Sequence, residues 1–409
     1  MSRHPDPDEL DAVTLLSPLA GEPAGPSRID VARAMVEGRR RRRTRWWTSG
    51  MAVVALTATS AAGGTLAFSA VGRPTPAPPR PIASPAPSIA VAASVAGPRD
   101  CTVTRLPTDG IRKALVTGGD PSGRWQVGRT YPPSGGQSRP LVVWKDGQLT
   151  DEIKIAGTDQ KLEDINSRGE AVGASYDPEA YPYAYRAGKT TRLAGGAGGA
   201  AAINDAGVVV GSLGSDIKNR PVRWSSVTAR PENLPMPAGA SSGAAVDVDE
   251  AGNVLGAVSL KGMDSTGYLW LADGSTRLMP MPEVDGRRAD MFWATSIRNG
   301  WVAGRGVLEA ADGTTFAYFR YRIATNSYEL LPAASGMPAR MAANGWVLGE
   351  AELPVITNAA GATTVLPKYP KAKGRQDYIV TSYSDDGLVA AGYAIGEDIQ
   401  NQPLLWRCR

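Results

Sequence analysis

Residues 203–211 read INDAGVVVG, a phrase that joins a tight-turn sequence to the start of an apolar strand. Asn, Asp and Gly are typical turn residues, and the valine run favours a strand that pairs back on the residues before the turn. The final glycine permits a close approach by another backbone. The phrase therefore predicts a β-hairpin.

This phrase occurs in seven copies between residues 101 and 409. The other six are GRWQVG at 123–128, INSRGEAVG at 165–173, VDEAGNVLG at 248–256, IRNGWVAG at 297–304, AANGWVLG at 342–349 and SDDGLVAAG at 384–392. Their closing glycines are 45, 38, 45, 48, 45 and 43 residues apart. This spacing lies in the range expected of four-stranded propeller blades.

The rest of each unit supports the same architecture. A third strand carries an aromatic near its end, and a fourth strand ends in Leu-Pro or a variant of it. The aromatics are Trp144, Tyr185, Trp224, Trp270, Tyr321 and Trp406. The sixth unit, LPVIT at 353–357, has none. We predict an all-β fold, a seven-bladed β-propeller over residues 101–409, preceded by one transmembrane helix.

The two ends of this domain predict how the propeller closes. The last unit stops after its third strand, whereas CTVTRLP at 101–107 has the sequence of the missing fourth strand. Pairing of these N- and C-terminal strands would complete the seventh blade. Cys101 and Cys408 are the only cysteines and flank this seam, so we predict a disulfide between them, the alternative being two unrelated buried thiols.

The phrase at 203–211 resembles the HAF-type repeat of bacterial secreted proteins, and DPSGRW at 120–125 resembles the blade turn of WD40-like bacterial propellers. The resemblance covers about three quarters of the chain and implies a binding or interaction platform without a shared catalytic set. The Gly-His and Trp-Asp signature of eukaryotic WD40 repeats is absent. High Ala, Gly and Arg content also indicates a bacterial origin.

The first hundred residues predict a membrane anchor. RRRRRTR at 39–45 precedes 27 uncharged residues, 46–72, which are long enough to span a bilayer. The arginines predict a cytoplasmic tail, 1–45, with a short helix near 28–43, and an extracellular C-terminal domain. The Pro-rich residues 73–100 predict an extended linker. The alternative is a cleaved signal peptide ending near Ala70.

The charge follows this division. Residues 1–100 contain 12 Lys and Arg against 8 Asp and Glu, whereas residues 101–409 contain 32 of each. The net charge of +4 therefore belongs to the first hundred residues, where we expect the arginines at 39–45 to meet anionic lipid. A neutral propeller gives no reason to expect a nucleic-acid partner, while the tail could hold a cytoplasmic partner.

Residue types exclude most catalytic chemistry in the predicted propeller. The only histidine, His4, precedes the predicted anchor. Histidine-based acid–base catalysis, Ser-His-Asp triads and ordinary zinc sites are therefore excluded there. The chain has no Walker loop, no dinucleotide-binding glycine motif and no EF-hand spacing, so we expect neither a cofactor nor a metal.

Paired carboxylates remain as an alternative catalytic set, because glycosidases and polysaccharide lyases can work without histidine. Superposition of the units on the residue before the turn aligns one inner-strand position per blade. These positions are Asp164, Ala202, Asp247, Ser296, Met341 and Ser382. Asp164 and Asp247 could thus approach a central channel. The structural alternative is that both stabilise turns or bind backbone groups.

Exposed aromatic and arginine residues in the loops that lead into the inner strands are the candidates for ligand binding, since Trp and Arg are common interface anchors. They are Trp293, Arg288, Arg340 and Tyr378. Trp293 is the strongest because it lies outside the repeated positions, although it could equally pack between blades. The sequence therefore predicts an extracytoplasmic, non-catalytic module that binds a protein or glycan, with a carbohydrate-active enzyme as the alternative.

Overall fold

Every copy of the repeated phrase forms a hairpin between the first two strands of a sheet in the computed structural model of this protein. The structure describes residues 97–132, 140–214, 218–260, 263–310, 313–371, 376–396 and 401–409. Seven four-stranded antiparallel sheets account for most of them. The seven-bladed all-β propeller is confirmed.

Blades 1 to 3 follow one another along the chain. Blade 1 contains β2 (Lys113–Gly119), β3 (Trp125–Tyr131), β4 (Leu141–Lys145) and β5 (Gln148–Ile153). Blade 2 contains β6 (Thr158–Ile165), β7 (Glu170–Tyr176), β8 (Ala180–Arg186) and β9 (Lys189–Arg192). Blade 3 contains β10 (Gly198–Ile203), β11 (Val209–Leu213), β12 (Arg220–Trp224) and β13 (Glu232–Asn233).

Blades 4 to 6 add one extra hairpin and one short helix. Blade 4 contains β14 (Ala240–Val248), β15 (Val254–Leu260), β16 (Met263–Trp270) and β17 (Thr276–Leu278), and the hairpin β18 (Glu283–Val284) and β19 (Arg287–Arg288) follows. Blade 5 contains β20 (Met291–Arg298), β21 (Trp301–Ala310), β22 (Gly313–Arg322) and β23 (Ser327–Leu330). After a 3₁₀ turn, Ala333–Ser335, blade 6 contains β24 (Met337–Met341), β25 (Val347–Glu350), β26 (Val355–Thr357) and β27 (Thr363–Val365).

Blade 7 is built from both ends of the described chain. It contains β28 (Gln376–Tyr383), β29 (Val389–Gly396) and β30 (Gln402–Arg407), and its outer strand is β1 (Thr102–Arg105). In this sheet Thr102 pairs with Arg407. The predicted disulfide between Cys101 and Cys408 is present beside that pair.

The closing glycine of the repeated phrase is required by close backbone packing. A Cβ atom at Gly173 would lie 1.9 Å from the carbonyl oxygen of Lys161 on the first strand of the same blade. At Gly128 it would lie 2.1 Å from the carbonyl of Leu115 and 2.7 Å from the Trp144 ring. Any side chain at these positions would force the first two strands apart.

The repeated aromatic and the Leu-Pro ending are explained by one hydrogen bond between blades. The indole Nε1 of each third-strand Trp donates to a carbonyl oxygen just past the outer strand of the preceding blade. These bonds join Trp144 to Pro107 at 2.7 Å, Trp224 to Ala194 at 2.9 Å, Trp270 to Pro235 at 2.6 Å and Trp406 to Pro367 at 2.9 Å. In blade 5 the third-strand Tyr321 does not make this bond, and the Pro280 carbonyl instead accepts from the hydroxyl of Tyr328 on the fourth strand, at 2.7 Å.

The predicted tail (1–45), apolar segment (46–72) and nearly all of the linker (73–100) lie outside the described residues. Within the segments that the structure describes, no helix has the length and apolarity needed to cross a membrane. The membrane anchor thus stays a prediction.

Candidate functional site

The seven inner strands meet around the axis of the propeller. They are β2, β6, β10, β14, β20, β24 and β28, each in contact with the next, and β28 contacts β2. A cavity of about 50 Å³ is lined by residues from all seven, which places it on the axis.

Each inner strand contains a β-bulge close to its turn, β6 and β14 have a second register shift farther away, and in six of the seven strands the residue just past the bulge near the turn lines this cavity. The register shifts near the turn lie at the same place in every blade. The residues just past them are Gly118, Asp164, Ala202, Asp247, Ser296, Arg340 and Ser382, of which all but Gly118 line the cavity. The prediction of Met341 for blade 6 is wrong by one residue, because the equivalent position is Arg340.

Asp164 and Asp247 both line the cavity, and each holds the blade that follows its own. One carboxylate oxygen of Asp164 accepts from the backbone N–H of Ile203 at 2.9 Å. Asp247 accepts from the N–H of Ile297 at 2.9 Å and from that of Val248 at 2.9 Å. The two side chains that could form a catalytic pair therefore satisfy backbone donors at the bulges.

Arg298 supplies the positive charge between these carboxylates. Its Nη1 donates to the Val248 carbonyl at 3.0 Å and lies 3.9 Å from Asp247 Oδ1, and its Nε lies 3.6 Å from Asp385 Oδ1. Burial alone would lower the pKa of Arg298, but the carboxylates of Asp247, Asp385 and Asp164 outweigh it and raise that pKa. One arginine thus interacts electrostatically with carboxylates from three different blades.

Burial dominates the titration of the acids themselves. It raises the pKa of Asp164 to about 7, although the positive charge of Arg298 opposes it. It raises the pKa of Asp385 to about 6 against the same opposition. Asp164 in the cavity wall and Asp385 beside Arg298 therefore change protonation near neutral pH.

Arg298 was not among the residues predicted from the sequence, although a signal for it was present. The residues equivalent to Arg298 in the other six blades are Asp120, Asn166, Asn204, Asp249, Ala342 and Ser384. Most of these side chains accept backbone N–H groups of their own turn. Blade 5 instead has a two-residue hairpin turn, Asn299 and Gly300, and both residues have positive φ. A turn of this kind needs no side chain to accept its backbone N–H groups. The change of turn frees this position for an arginine.

Arg340 also lines the cavity, and it links blade 6 to blade 7 by a hydrogen bond. Its Nε donates to the Thr381 carbonyl at 2.8 Å and its Nη1 to the Ala339 carbonyl at 3.0 Å. Both donors are satisfied by backbone carbonyls of the surrounding strands, which hold the side chain in place.

The size of the cavity limits its chemistry. About 50 Å³ accommodates one or two water molecules, whereas pockets that enclose organic ligands reach several hundred Å³. Among the residues that the structure describes, no three acidic, histidine or cysteine side chains group closely enough to hold a metal ion. A sugar ring does not fit between Asp164 and Asp247 in this conformation.

The other candidate binding residues lie apart from the cavity. Tyr378 is 3% exposed; its ring packs against Trp406 and its hydroxyl accepts from the Tyr369 N–H at 3.0 Å. The expectation of an exposed Tyr378 is therefore wrong, because it points into the core of blade 7. Arg288 is exposed on β19, opposite Glu283. Trp293 lies within β20 and is half-buried.

Trp293 belongs to a surface on blade 5 that we call the aromatic surface, formed by Trp293, Arg305, Phe316 and Tyr318. Trp293 pairs with Arg305, which pairs with Tyr318 on the next strand, so the three side chains share one sheet face. The Arg305 guanidinium carbon lies 4.3 Å from the centre of the Trp293 ring and 5.3 Å from that of Phe316. Phe316 is 48% exposed.

This surface lies on the longest hairpin of the described propeller. β21 and β22 each have ten residues, and no second or third strand elsewhere exceeds eight. The hairpin is braced from outside the blade: Arg287 of β19 donates to the Glu309 carbonyl, and Asp290 accepts from the Glu309 N–H at 2.7 Å. Phe316 thus lies on a long hairpin, β21–β22, that Arg287 and Asp290 stabilise from outside the blade.

Comparison with known proteins adds the fold alone. No protein-family model and no curated protein matches the sequence. Among solved structures, the β-propeller domain of the Trilobed protease from Pyrococcus furiosus is similar at 12% identity, over 72% of this chain and 95% of that one, with a TM-score of 0.49. YCF48 bound to D1 peptide is similar at 14% identity, over 77% and 98%, with a TM-score of 0.44.

A structure from a study of two prolyl endopeptidases is similar at 12% identity, over 73% of this chain, with a TM-score of 0.43. This chain spans about half of that protein's length, 47%. A peptide-bound protein and a structure from a study of peptidases thus occur together among the matches, and likeness at this level leaves the function open.

Proposed function

We propose that this protein is a non-catalytic binding module whose ligand, a protein or a glycan, docks on the aromatic surface of blade 5. The observation that carries the proposal is the exposed Phe316 ring beside Arg305, which is itself stacked on Trp293. Aromatic and arginine side chains dominate binding energy at interfaces when they are held rigidly. The length and bracing of the β21–β22 hairpin support this role.

The proposal extends to the location of the module. Residues 46–72 anchor it in a bacterial membrane, with the tail in the cytoplasm and the HAF-type propeller outside, closed through its shared seventh blade. The disulfide supports an oxidising compartment. Alkaline carbonate extraction of membranes from producing cells tests the anchor: the full chain should stay in the pellet, and its release would contradict the anchor.

The alternative, a carbohydrate-active enzyme using Asp164 and Asp247, draws support from their shared cavity and from the raised pKa of Asp164. The cavity volume and the backbone bonds of both carboxylates weigh against it. Reducing-sugar release from a polysaccharide panel, lost in both Asp164→Asn and Asp247→Asn, would favour the enzyme over the binding module.

Binding can be tested with defined probes. A random peptide library and an array of envelope glycans are presented to the purified propeller and to two variants, Phe316→Ser and Leu330→Ser. Leu330 is the matched control because it is an exposed apolar residue, 59% exposed, on the outer strand of the same blade. We expect binding that Phe316→Ser weakens by about 10-fold or more and Leu330→Ser leaves unchanged. Ligands that bind both variants equally, or none at all, would contradict the proposed surface.

A further inference from the structure

Arg305 differs from the other half-buried or buried stacked arginines, Arg320 and Arg129, in having no carboxylate partner. Arg320 lies over Trp301 and bonds to Glu329 at 2.6 Å, and Arg129 lies over Tyr131 and bonds to Asp159 at 2.9 Å. Arg305 forms no salt bridge with any residue of the described segments. Its Nη1 contacts only the sulfur of Met337, and its buried Nε has no acceptor.

Burial makes this missing partner costly. It lowers the pKa of Arg305, since water that would solvate the guanidinium is excluded by the surrounding rings. Glu350 acts on Arg305 only through space, because its own carboxylate accepts from the Val380 N–H at 3.0 Å. Arg192 and Arg322, which also stack on aromatic rings, are exposed and stay solvated. Arg305 is thus a partly desolvated cation beside an open apolar ring.

One edge of the guanidinium remains available. Nη2 of Arg305 has no hydrogen-bond partner among the described residues, and unlike Nε it is not enclosed. A carboxylate there would gain a charge-assisted hydrogen bond, and a neighbouring apolar side chain would cover Phe316. Charge complementarity therefore selects an acidic partner over a neutral one.

We propose that the aromatic surface recognises a peptide segment in which an Asp or Glu carboxylate lies next to an aromatic or aliphatic side chain. Arg305 binds the carboxylate, and Phe316 contacts the apolar side chain. This inference rests on the proposed binding function and names the chemical class of the partner. A glycan ligand, which lacks the apolar side chain, is an outcome of the test below.

The test uses the peptides enriched from the random library. They should carry Asp or Glu beside an apolar residue, and fluorescence anisotropy should show that replacing the peptide Glu by Gln weakens binding to the wild-type protein by about 10-fold or more. In Arg305→Gln the same peptide replacement should have almost no effect, because the two groups act as a pair. Arg322→Gln, at an exposed stacked arginine, is the control and should behave as wild type.

The peptide replacement leaves the protein intact, so it remains informative even where Arg305→Gln folds poorly. Enriched peptides without carboxylates, equal effects of the Glu→Gln replacement in wild type and Arg305→Gln, or Phe316-dependent binding of glycans alone would overturn the acidic-peptide inference and leave the binding module standing. Absence of any Phe316-dependent ligand would overturn both.

Discussion

At the scale of single residues, two carboxyl groups around Arg298 exchange their protons near neutral pH. The pKa of Asp164 is raised to about 7 and that of Asp385 to about 6, in each case by burial. An unfolded chain titrates its aspartates near about 3.9. The folded state therefore binds these protons more tightly than the unfolded state does. Between the unfolded pKa and the folded pKa values, protonation raises the free energy of unfolding.

We therefore predict that the propeller becomes more stable as pH falls from about 8 to about 5.5, by on the order of 1 to 2 kcal/mol. The sign follows from the raised pKa values: the stabilisation is fully present only below the unfolded pKa of about 3.9 and is lost as the pH rises through the folded values of about 6 and about 7. Urea denaturation at the two pH values measures it.

Asp164→Asn should flatten this pH dependence, because the amide can still accept from the Ile203 N–H but has no proton to exchange. Asp290→Asn, on the exposed linker of blade 5, is a suitable control and should keep the wild-type slope. Equal slopes in wild type and Asp164→Asn would show that Asp164 does not contribute to the pH dependence.

At the scale of the elements, the turns were predictable and the directions of the side chains were not. Alternation along a strand assigns Trp293 and Tyr378 to a face only while the register holds, and every inner strand contains a bulge that shifts it by one residue. Nothing in the local sequence marks these bulges. Asp164 and Asp247 were located correctly because they were counted from the turn, past the bulge.

The prediction for the elements concerns the bonds between blades. Trp224→Phe keeps the aromatic ring but leaves the Ala194 carbonyl without its donor, which costs about 1 to 2 kcal/mol of unfolding free energy. Trp125→Phe provides the comparison, since the Trp125 indole N–H has no hydrogen-bond partner in the described chain. We expect chemical denaturation to give a smaller loss there; equal losses would assign the effect to ring size.

At the scale of the whole molecule, the seventh blade joins residues that are far apart in sequence. Both the strand pairing and the disulfide could be predicted, because the missing fourth strand and the two cysteines are visible without any knowledge of packing. The aromatic surface could not, since it arises from the length of one hairpin and from Arg305 meeting side chains of three other strands.

The disulfide should stabilise the propeller by holding this seam. It joins cysteines 307 residues apart, so Cys101→Ser with Cys408→Ser should lower the unfolding free energy by about 2 to 5 kcal/mol. Reduction of the wild-type protein should lower the melting temperature to that of the double variant. A double variant that melts at the wild-type temperature would show that strand pairing alone holds the seventh blade.

The pairing of β1 with β30 also separates the order of synthesis from the order of assembly. β1 leaves the ribosome first among the propeller strands, yet its partner follows about 300 residues later, which at ordinary elongation rates takes about 15 to 60 s. During that interval the first six blades can form while β1 has no partner. Its unpaired backbone groups can then pair with other strands. The last step of assembly is therefore a meeting of chain ends, and it cannot precede the synthesis of β30.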